Sequence, residues 1–211
     1  MTREIRMREA DLLDVMRRRR SARVHAPSAV PETALAAVLE AARWAPSAAN
    51  RQPWEFVAID DPALKGALRA AFLEEAQHRD PRYRSVSEKQ ADLLTAPGLV
   101  LVCGDPRSKE RYVNATAIGA AAQEELFLLS MGAAIQNLLL MATAHGLTST
   151  WIARPARLQA VRRLLDVPEH IRTIAFVALG LAASPPAWDE HMRRPIVRYA
   201  NRYGAIGPGL D

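Results

Sequence analysis

Between an alanine-rich helical pattern and a strand-like pattern, the chain reads Ala45-Pro46-Ser47-Ala48-Ala49-Asn50-Arg51-Gln52-Pro53-Trp54. The helical pattern stops at Trp44 because a proline two residues later disfavours its continuation. The apolar residues 54–59 that follow predict a strand. Ser47, Asn50 and Gln52 can present hydroxyl and amide groups from the loop between them. Such groups can form hydrogen bonds with a planar heterocycle, so the loop is a candidate wall of a binding site.

Helical and strand-like patterns alternate along the rest of the chain. Apolar residues recur at helical spacing in the segments 11–20, 31–44, 62–78, 123–145 and 157–165. Further strands are predicted at 99–103, 149–152 and 173–179, and the strand at 56–59 is expected to be buried. Asp61 and Gly146 are placed to cap helices. The polar segment 79–90 is interpreted as a loop or lid, and the alternation predicts one α/β or α+β domain with a modest sheet.

Length and composition limit the possible classes of protein. A chain of 211 residues with 49% hydrophobic content can bury a substantial core as a single domain, 1–211. No apolar run is judged long enough to cross a bilayer, and the N-terminus lacks a secretory pattern, so a cytoplasmic protein is expected. Cys103 lies in an apolar run and is expected to be a buried, inert thiol. The net charge of +5 makes an anionic ligand or partner plausible.

The sequence offers little catalytic chemistry of its own. Its five histidines are scattered without the spacing of metal ligands, so no metal is expected. It contains no G-x-S-x-G nucleophile elbow, no Walker A loop and no G-x-G-x-x-G dinucleotide fingerprint. If the protein is an enzyme, a cofactor is therefore expected to perform the difficult step.

A dense basic cluster, Arg17 to Arg23, marks the end of the first helical pattern. Guanidinium groups bind phosphate through paired hydrogen bonds, and Ser21 can add another. A solvated helix end is an equally simple explanation, since cations are favourable near a helix C-terminus. A nucleic-acid patch is a third reading, although interleaved aromatic residues and known nucleic-acid motifs are absent.

Four motifs in a fixed order resemble those of the FMN-dependent nitroreductase family. The resemblance spans residues 12 to 199, nearly the whole chain. Each motif alone is a weak signal for the family, but the four motifs in this order are a strong one. They are Arg19-Arg20-Ser21-x-Arg23, Ala45-Pro46-Ser47-x-x-Asn50-x-Gln52-Pro53-Trp54, Gly132-Ala133-Ala134-Ile135-Gln136-Asn137-Leu138-Leu139-Leu140 and Gly146-Leu147-x-Ser149-x-Trp151-Ile152.

The resemblance implies an α+β fold with a central, mostly antiparallel sheet flanked by helices. It also implies an intertwined homodimer that holds FMN at its interface. Such a dimer would explain why the pattern at 123–145 is apolar on nearly every side. It would also explain the basic segment 185–211, which has no core-forming pattern and is expected to wrap the partner subunit.

The resemblance also assigns cofactor-binding roles to particular residues. Arg19, Arg20, Ser21 and Arg23 match the signature that holds the FMN phosphate and ribityl chain. Asn50 matches the position that bonds the isoalloxazine ring, with Ser47 and Gln52 beside it. Three residues match a segment whose backbone lies along the ring, and one basic tail residue matches a position that returns to the phosphate. The three residues along the ring are Trp151, Ile152 and Ala153, and the basic tail residue is Arg193.

Three positions depart from the family pattern. Ala48 stands where many relatives have a small hydroxyl residue, and Ser130 stands where relatives often have an acidic one. Ala153-Arg154 replaces a common glycine, which could narrow the space over the ring or place a guanidinium near an anionic substrate.

The implied reaction is a ping-pong oxidation of NADH or NADPH coupled to reduction of an electron-poor acceptor, such as a nitroaromatic or a quinone. Two alternatives stay open at this point. The first is a flavoenzyme of the same fold with another reaction, either reductive dehalogenation or flavin breakdown. The second is a basic nucleic-acid-binding module, which would be colourless and would bind with a steep salt dependence.

Overall fold

A computed structural model describes residues 9–78, 84–111, 119–153 and 158–184, together with Arg194, Ile196 and Arg202. The described helices are α1 (Glu9–Arg18), α2 (Glu32–Arg43), α3 (Pro62–Gln77), α4 (Arg84–Leu93), α5 (Ala120–Ala144) and α6 (Gln159–Leu164). The described strands are β1 (Trp54–Ile59), β2 (Gly98–Gly104), β3 (Thr148–Ile152) and β4 (Arg172–Gly180). Together they form the α+β fold that the sequence predicted.

The four strands form one antiparallel sheet in the order β1-β2-β4-β3. The two central strands, β2 and β4, are buried along nearly their whole length. The outer strands place Trp54 at one edge of the sheet and Ile152 at the other. The candidate loop that leads into β1 and the candidate segment that ends β3 therefore lie at opposite edges.

Apolar side chains cover both faces of the sheet. On one face, α2 and α5 contribute Val38, Phe127 and Ile135 to a buried cluster. On the other face, α3 and α6 contribute Phe72 and Val161 to a second cluster. Full burial of one such side chain contributes about 1.5–3 kcal/mol, so the two clusters fix the positions of the helices against the sheet.

Helix α5 is the longest described helix, with 25 residues. It ends at Ala144, and Gly146 follows with a φ of 72°, which confirms the predicted glycine cap. By length and composition this helix could cross a membrane, which the sequence-based prediction did not anticipate. In the fold, however, it packs against α2, where the Nδ2 of Asn137 donates to the carbonyl of Ala41 at 3.1 Å. We therefore describe it as the core helix.

Two sequence-based predictions were wrong. The segment 79–90 was interpreted as a loop or lid, but residues 84–93 form α4, and residues 79–83 lie outside the described part. The strand at 56–59 was expected to be buried, but β1 is an edge strand whose Val57 is exposed. Asp61 does cap α3 as predicted, since its carboxylate accepts a hydrogen bond from the Ala63 N–H at 2.8 Å.

Candidate functional site

The loop between α2 and β1 has an unusual backbone. Ala49, Asn50 and Gln52 have φ values of 51°, 53° and 46°, all in the left-handed region. For residues other than glycine this conformation costs on the order of 1 kcal/mol each, and it persists only where surrounding contacts impose it. Strain of this kind clusters at binding sites, so the backbone supports the interpretation of this loop as a site wall.

Two serine hydroxyl groups hold the loop in this conformation. The Oγ of Ser47 accepts a hydrogen bond from the Gln52 N–H at 2.9 Å. The Oγ of Ser130, on α5, accepts from the Ala48 N–H at 3.1 Å and donates to the Leu126 carbonyl at 2.7 Å. Ser130, known from the sequence only as a departure from the family pattern, therefore anchors the loop to the core helix.

Removing this anchor should weaken ligand binding more than it weakens the fold. In Ser130→Ala the Ala48 N–H loses its partner, a loss of about 1 kcal/mol that falls on the strained loop. We expect the dissociation constant of FMN, measured by quenching of flavin fluorescence, to rise about fivefold. Ser184→Ala, at an exposed position, is the control. An unchanged constant in Ser130→Ala would show that the loop does not contact the ligand.

The side chain of Asn50 is available to a ligand. It is exposed, and its amide makes no hydrogen bond with the described part of the chain. The exposed Gln52 side chain donates weakly to the Asn50 carbonyl at 3.4 Å. Asn50 is therefore the loop side chain best placed to bond a heterocycle, whereas the Ser47 hydroxyl is engaged within the loop.

The basic segment that follows α1 is anchored at its centre. Ala22 is buried, and its carbonyl accepts a hydrogen bond from the Thr150 hydroxyl on β3. The side chains of Ser21 and Arg23, on either side, are exposed. This pairing directs polar groups outwards from a backbone that is fixed to the sheet.

Two cavities flank this basic segment. A cavity of about 480 Å³ lies between α1 and the turn that joins α5 to β3, and three arginines line it. A larger cavity of about 780 Å³, which we call the α4 cavity, lies between the basic segment and the C-terminal end of α4. The first is lined by Arg17, Arg18, Arg20 and Thr143, among others. Arg23, His25, Lys89, Asp92, Leu93 and Pro97 are among the residues that line the second.

The sequence-based prediction missed Lys89, which lies in the segment 79–90 interpreted as a loop or lid, and did not single out Asp92 just beyond it. The carboxylate of Asp92 is paired: its Oδ1 accepts hydrogen bonds from the Nε and Nη2 of Arg69 at 3.1 and 2.9 Å. Lys89 and Arg23 make no hydrogen bond or ion pair with the described residues. The α4 cavity thus combines two cations that have no partner among the described residues with a largely apolar wall.

His25 connects the basic segment to the sheet. It forms a β-bridge with Ala182, and its ring packs so closely on Gly180 that a Cβ there would lie 3.1 Å away. Its Nδ1 lies 3.4 Å from the Thr148 hydroxyl, and its Nε2 is buried without a partner among the described residues. Burial lowers the pKa of His25 below its ordinary value, and a backbone hydrogen bond with Gly180 partly opposes this shift.

The lowered pKa of His25 predicts a loss of stability in mild acid. Below the ordinary value of 6.5 the unfolded chain binds a proton that the folded chain resists. The free energy of unfolding should therefore be highest above that pH and fall until the pH passes below the folded pKa. Melting temperatures between pH 8 and 5 should decline less steeply in His25→Phe than in the natural protein. Equal slopes would contradict this assignment, and His145→Phe, at an exposed position, is the control.

The end of β3 carries the third group of candidate residues. Trp151 is 43% exposed, Ile152 is buried, and Ala153 is exposed. Within the described sheet β3 pairs only with β4, and no described strand lies on its other side. Arg154 and Arg193 lie outside the described residues.

The structure does not bring all the predicted residues together within one chain. The loop joins α5 at Ser130, whereas Arg20 shares a cavity with Thr143 on the same helix. At about 1.5 Å per residue these contacts are about 20 Å apart along the helix axis. The loop and the basic segment therefore lie apart from one another in the single chain.

Comparison with known proteins identifies the family. The model of the Nitroreductase family matches residues 16–181. The chain belongs to the nitroreductase family. A NADH dehydrogenase of Thermus thermophilus is 38% identical over 193 residues, which cover 86% of this chain and 90% of that protein.

Two further similar proteins carry names that mention FMN and deiodination. A structure described as a nitroreductase in complex with FMN, from Desulfovibrio desulfuricans, superimposes with a TM-score of 0.66. It is 28% identical and covers 90% of this chain and 94% of that one. Iodotyrosine deiodinase 1 of Mus musculus is 28% identical over 196 residues, which cover 84% of this chain and 64% of that protein.

Proposed function

We propose that this protein is an FMN-dependent NAD(P)H oxidoreductase that reduces electron-poor acceptors such as nitroaromatics or quinones. The observation that carries the proposal is the strained, serine-anchored loop that presents Asn50, in a chain of the nitroreductase family. The names of the relatives support both the cofactor and the reductant, since one structure holds FMN and the Thermus protein is a NADH dehydrogenase.

The residues fit the chemical groups of FMN. Arg19, Arg20, Ser21 and Arg23 would hold the phosphate and ribityl chain, because guanidinium and hydroxyl groups complement a dianion and its polyol. The Asn50 amide, which has no partner among the described residues, would form hydrogen bonds with the ring, with Ser47 and Gln52 fixing the loop around it. The open edge of β3 at Trp151, Ile152 and Ala153 would supply backbone groups along the ring. Arg193 is proposed to complete the phosphate site.

The chemistry supplied by bound FMN is hydride transfer from NAD(P)H to the acceptor in two half-reactions. The protein's own residues bind and orient the reactants and place positive charge near the developing negative charge. Cys103 takes no part, because it is buried in the sheet and burial raises the pKa of its thiol to about 12. No side chain of the site needs to serve as an obligatory acid or base.

We infer that the complete site requires a homodimer. No described residue covers one face of α5: Leu129 is 70% exposed, and Gly132 has open space beside it among the described residues. A second copy packed antiparallel on this face would bring its loop towards the basic segment of the first chain and close the gap of about 20 Å.

The edge of β1 is a second surface that a partner chain would cover. A cavity of about 420 Å³ beside this strand is lined by Leu39, Trp54 and Phe56 among others. Nearby, the 73% exposed Trp44 is held by Glu40, which accepts from its indole N–H at 2.7 Å. Exposed, fixed tryptophans are frequent anchors of interfaces. We propose that the segment 185–211 of the partner lies here, within a single-domain protein that works in the cytoplasm.

The similarity to iodotyrosine deiodinase makes reductive dehalogenation a second candidate reaction. Reductive removal of a halogen would use the same flavin and reductant but a different acceptor. No feature of the described residues favours it over nitro or quinone reduction.

The proposed function is tested by the colour and redox behaviour of the purified protein. It should be yellow, release FMN on denaturation, and bleach when NADH or NADPH is added without oxygen. Colourless protein that does not take up added FMN would contradict the proposal. Flavin that neither nicotinamide bleaches would overturn the proposed reductant. Binding to DNA with a steep salt dependence by a colourless protein would support the nucleic-acid module instead.

A further inference from the structure

The basic segment runs alongside β3, and this gives the proposed flavin site a direction. The Ala22 carbonyl accepts a hydrogen bond from Thr150, and His25 lies beside Thr148 at the start of the strand. The residues proposed to lie along the ring, 151–153, are at the opposite end of the strand. At about 3.3 Å per residue, the ring end and the His25 end of β3 are about 13 Å apart.

Arg23 lies between these two ends and connects the proposed phosphate site to the α4 cavity. Its side chain is exposed, lines that cavity and is one of those proposed to hold the FMN phosphate. The cavity also contacts His25, at the end of β3 that is remote from the ring. The order along the segment is therefore ring, ribityl chain, phosphate and cavity. A group attached to the phosphate would enter the α4 cavity.

The α4 cavity has the size and the lining of a nucleotide site. Its volume is about 780 Å³. Sites for small molecules commonly measure roughly 300–1,000 Å³ and combine an apolar lining with a few polar groups. Val24, Leu93 and Pro97 supply an apolar wall on which a flat base can lie.

The charged groups of the α4 cavity complement a second phosphate and a ribose. Lys89 has no hydrogen bond or ion pair with the described residues, so its ammonium group can bond a phosphate. The Oδ1 of Asp92 is bonded by Arg69, which offsets the charge of the carboxylate, while no described residue bonds its Oδ2. A carboxylate oxygen can accept a hydrogen bond from a ribose hydroxyl group.

We propose that the α4 cavity binds the adenylate half of FAD, so that this protein takes FAD as well as FMN. The inference rests on the proposed function and extends its cofactor class. Arg23 contacts the phosphate that the two flavins share, Lys89 contacts the second phosphate, and the adenine lies on the apolar wall. The isoalloxazine ring occupies the same place with either cofactor.

Competition between the two flavins tests the proposal on the holoprotein. The protein is equilibrated with an excess of FMN and FAD at equal concentrations, and the bound flavins are separated and quantified after gel filtration. The natural protein should hold at least as much FAD as FMN, because the adenylate adds contacts. In Lys89→Met the ratio of bound FAD to bound FMN should fall roughly tenfold, since only FAD loses a charge-assisted hydrogen bond.

A second variant and two controls keep this reading independent of Lys89 alone. Val24→Trp fills the cavity from an exposed position, so it should lower the same ratio while the total flavin content is retained. Lys89→Arg keeps the positive charge and should keep the ratio. Arg163→Met removes an exposed charge on α6 and should not change it.

A natural protein that binds mainly FMN from the equal mixture would overturn the proposal. An unchanged ratio in Lys89→Met and Val24→Trp would place the adenylate outside the α4 cavity. An equal loss of both flavins in Lys89→Met would assign its charge to the shared phosphate. Protein that binds neither flavin would remove the proposed function and this inference together, whereas yellow protein that takes only FMN would remove this inference alone.

Discussion

Replacing Arg19 and Arg23 with alanine should leave a folded protein that has lost most of its FMN. Each guanidinium removed from a phosphate costs about 1.5–3 kcal/mol of binding, so the dissociation constant of FMN should rise at least 100-fold. The buried Ala22 between the two arginines keeps its hydrogen bond to Thr150, which leaves the anchor of the segment in place. The measurement is the ratio of FMN to protein after gel filtration.

The charge and the geometry of these arginines can be separated. Arg19→Lys keeps the charge but loses the fork that bonds two phosphate oxygens, so it should bind FMN with intermediate affinity. Arg163→Ala, on the exposed surface of α6, should retain full occupancy. Unchanged occupancy in the double variant would show that the phosphate lies elsewhere.

Leu129→Asp should convert the protein into a monomer and empty the flavin site at the same time. In the single chain this leucine is 70% exposed, so a carboxylate there would be well tolerated. In the proposed dimer it is buried against the partner helix, where an unpaired charge costs about 4 kcal/mol, which weakens association roughly 1,000-fold. FMN should be lost because each site needs both chains.

Sedimentation velocity combined with FMN content checks this expectation. Ala70→Asp adds the same charge to an exposed position on α3 and should remain dimeric and yellow. A Leu129→Asp protein that stays dimeric would exclude this face of α5 as the interface. A monomer that keeps its FMN would show that one chain holds the whole site.

Apolar patterning made most of the fold predictable, because α2 carries a 3.6-residue apolar repeat and the central strands β2 and β4 are short continuous apolar runs. Helix α4 was missed because its buried positions include Ser87 and Ala91, which do not form an apolar stripe. It packs against α3, where Ala91 belongs to the same buried cluster as Leu68 and Phe72, and that contact is not visible in the sequence. The missing helix also hid Lys89, which lines the α4 cavity.

The candidate site was predictable in its residues but not in its geometry. The polar loop and the basic segment were visible as motifs. The left-handed backbone of Ala49 was not, because alanine carries no signal for that conformation and a distant serine, Ser130, helps to hold it. Nor could the sequence reveal that the two motifs contact α5 at points about 20 Å apart along its axis, since that separation follows from how the helices pack.

The central claim is that one FMN site combines the basic segment of one chain with the Asn50 loop of the other, and a mixed dimer tests it directly. One chain carries Arg19→Ala and Arg23→Ala, and the other carries Asn50→Val, whose branched side chain is incompatible with the positive φ. Each variant alone should be colourless. In the purified mixed dimer, one site combines the altered basic segment with the altered loop. The other site combines the intact basic segment with the intact loop, so FMN content should return to about half of the natural value. A mixed dimer with no FMN would contradict the claim, because it would place each complete site within one chain.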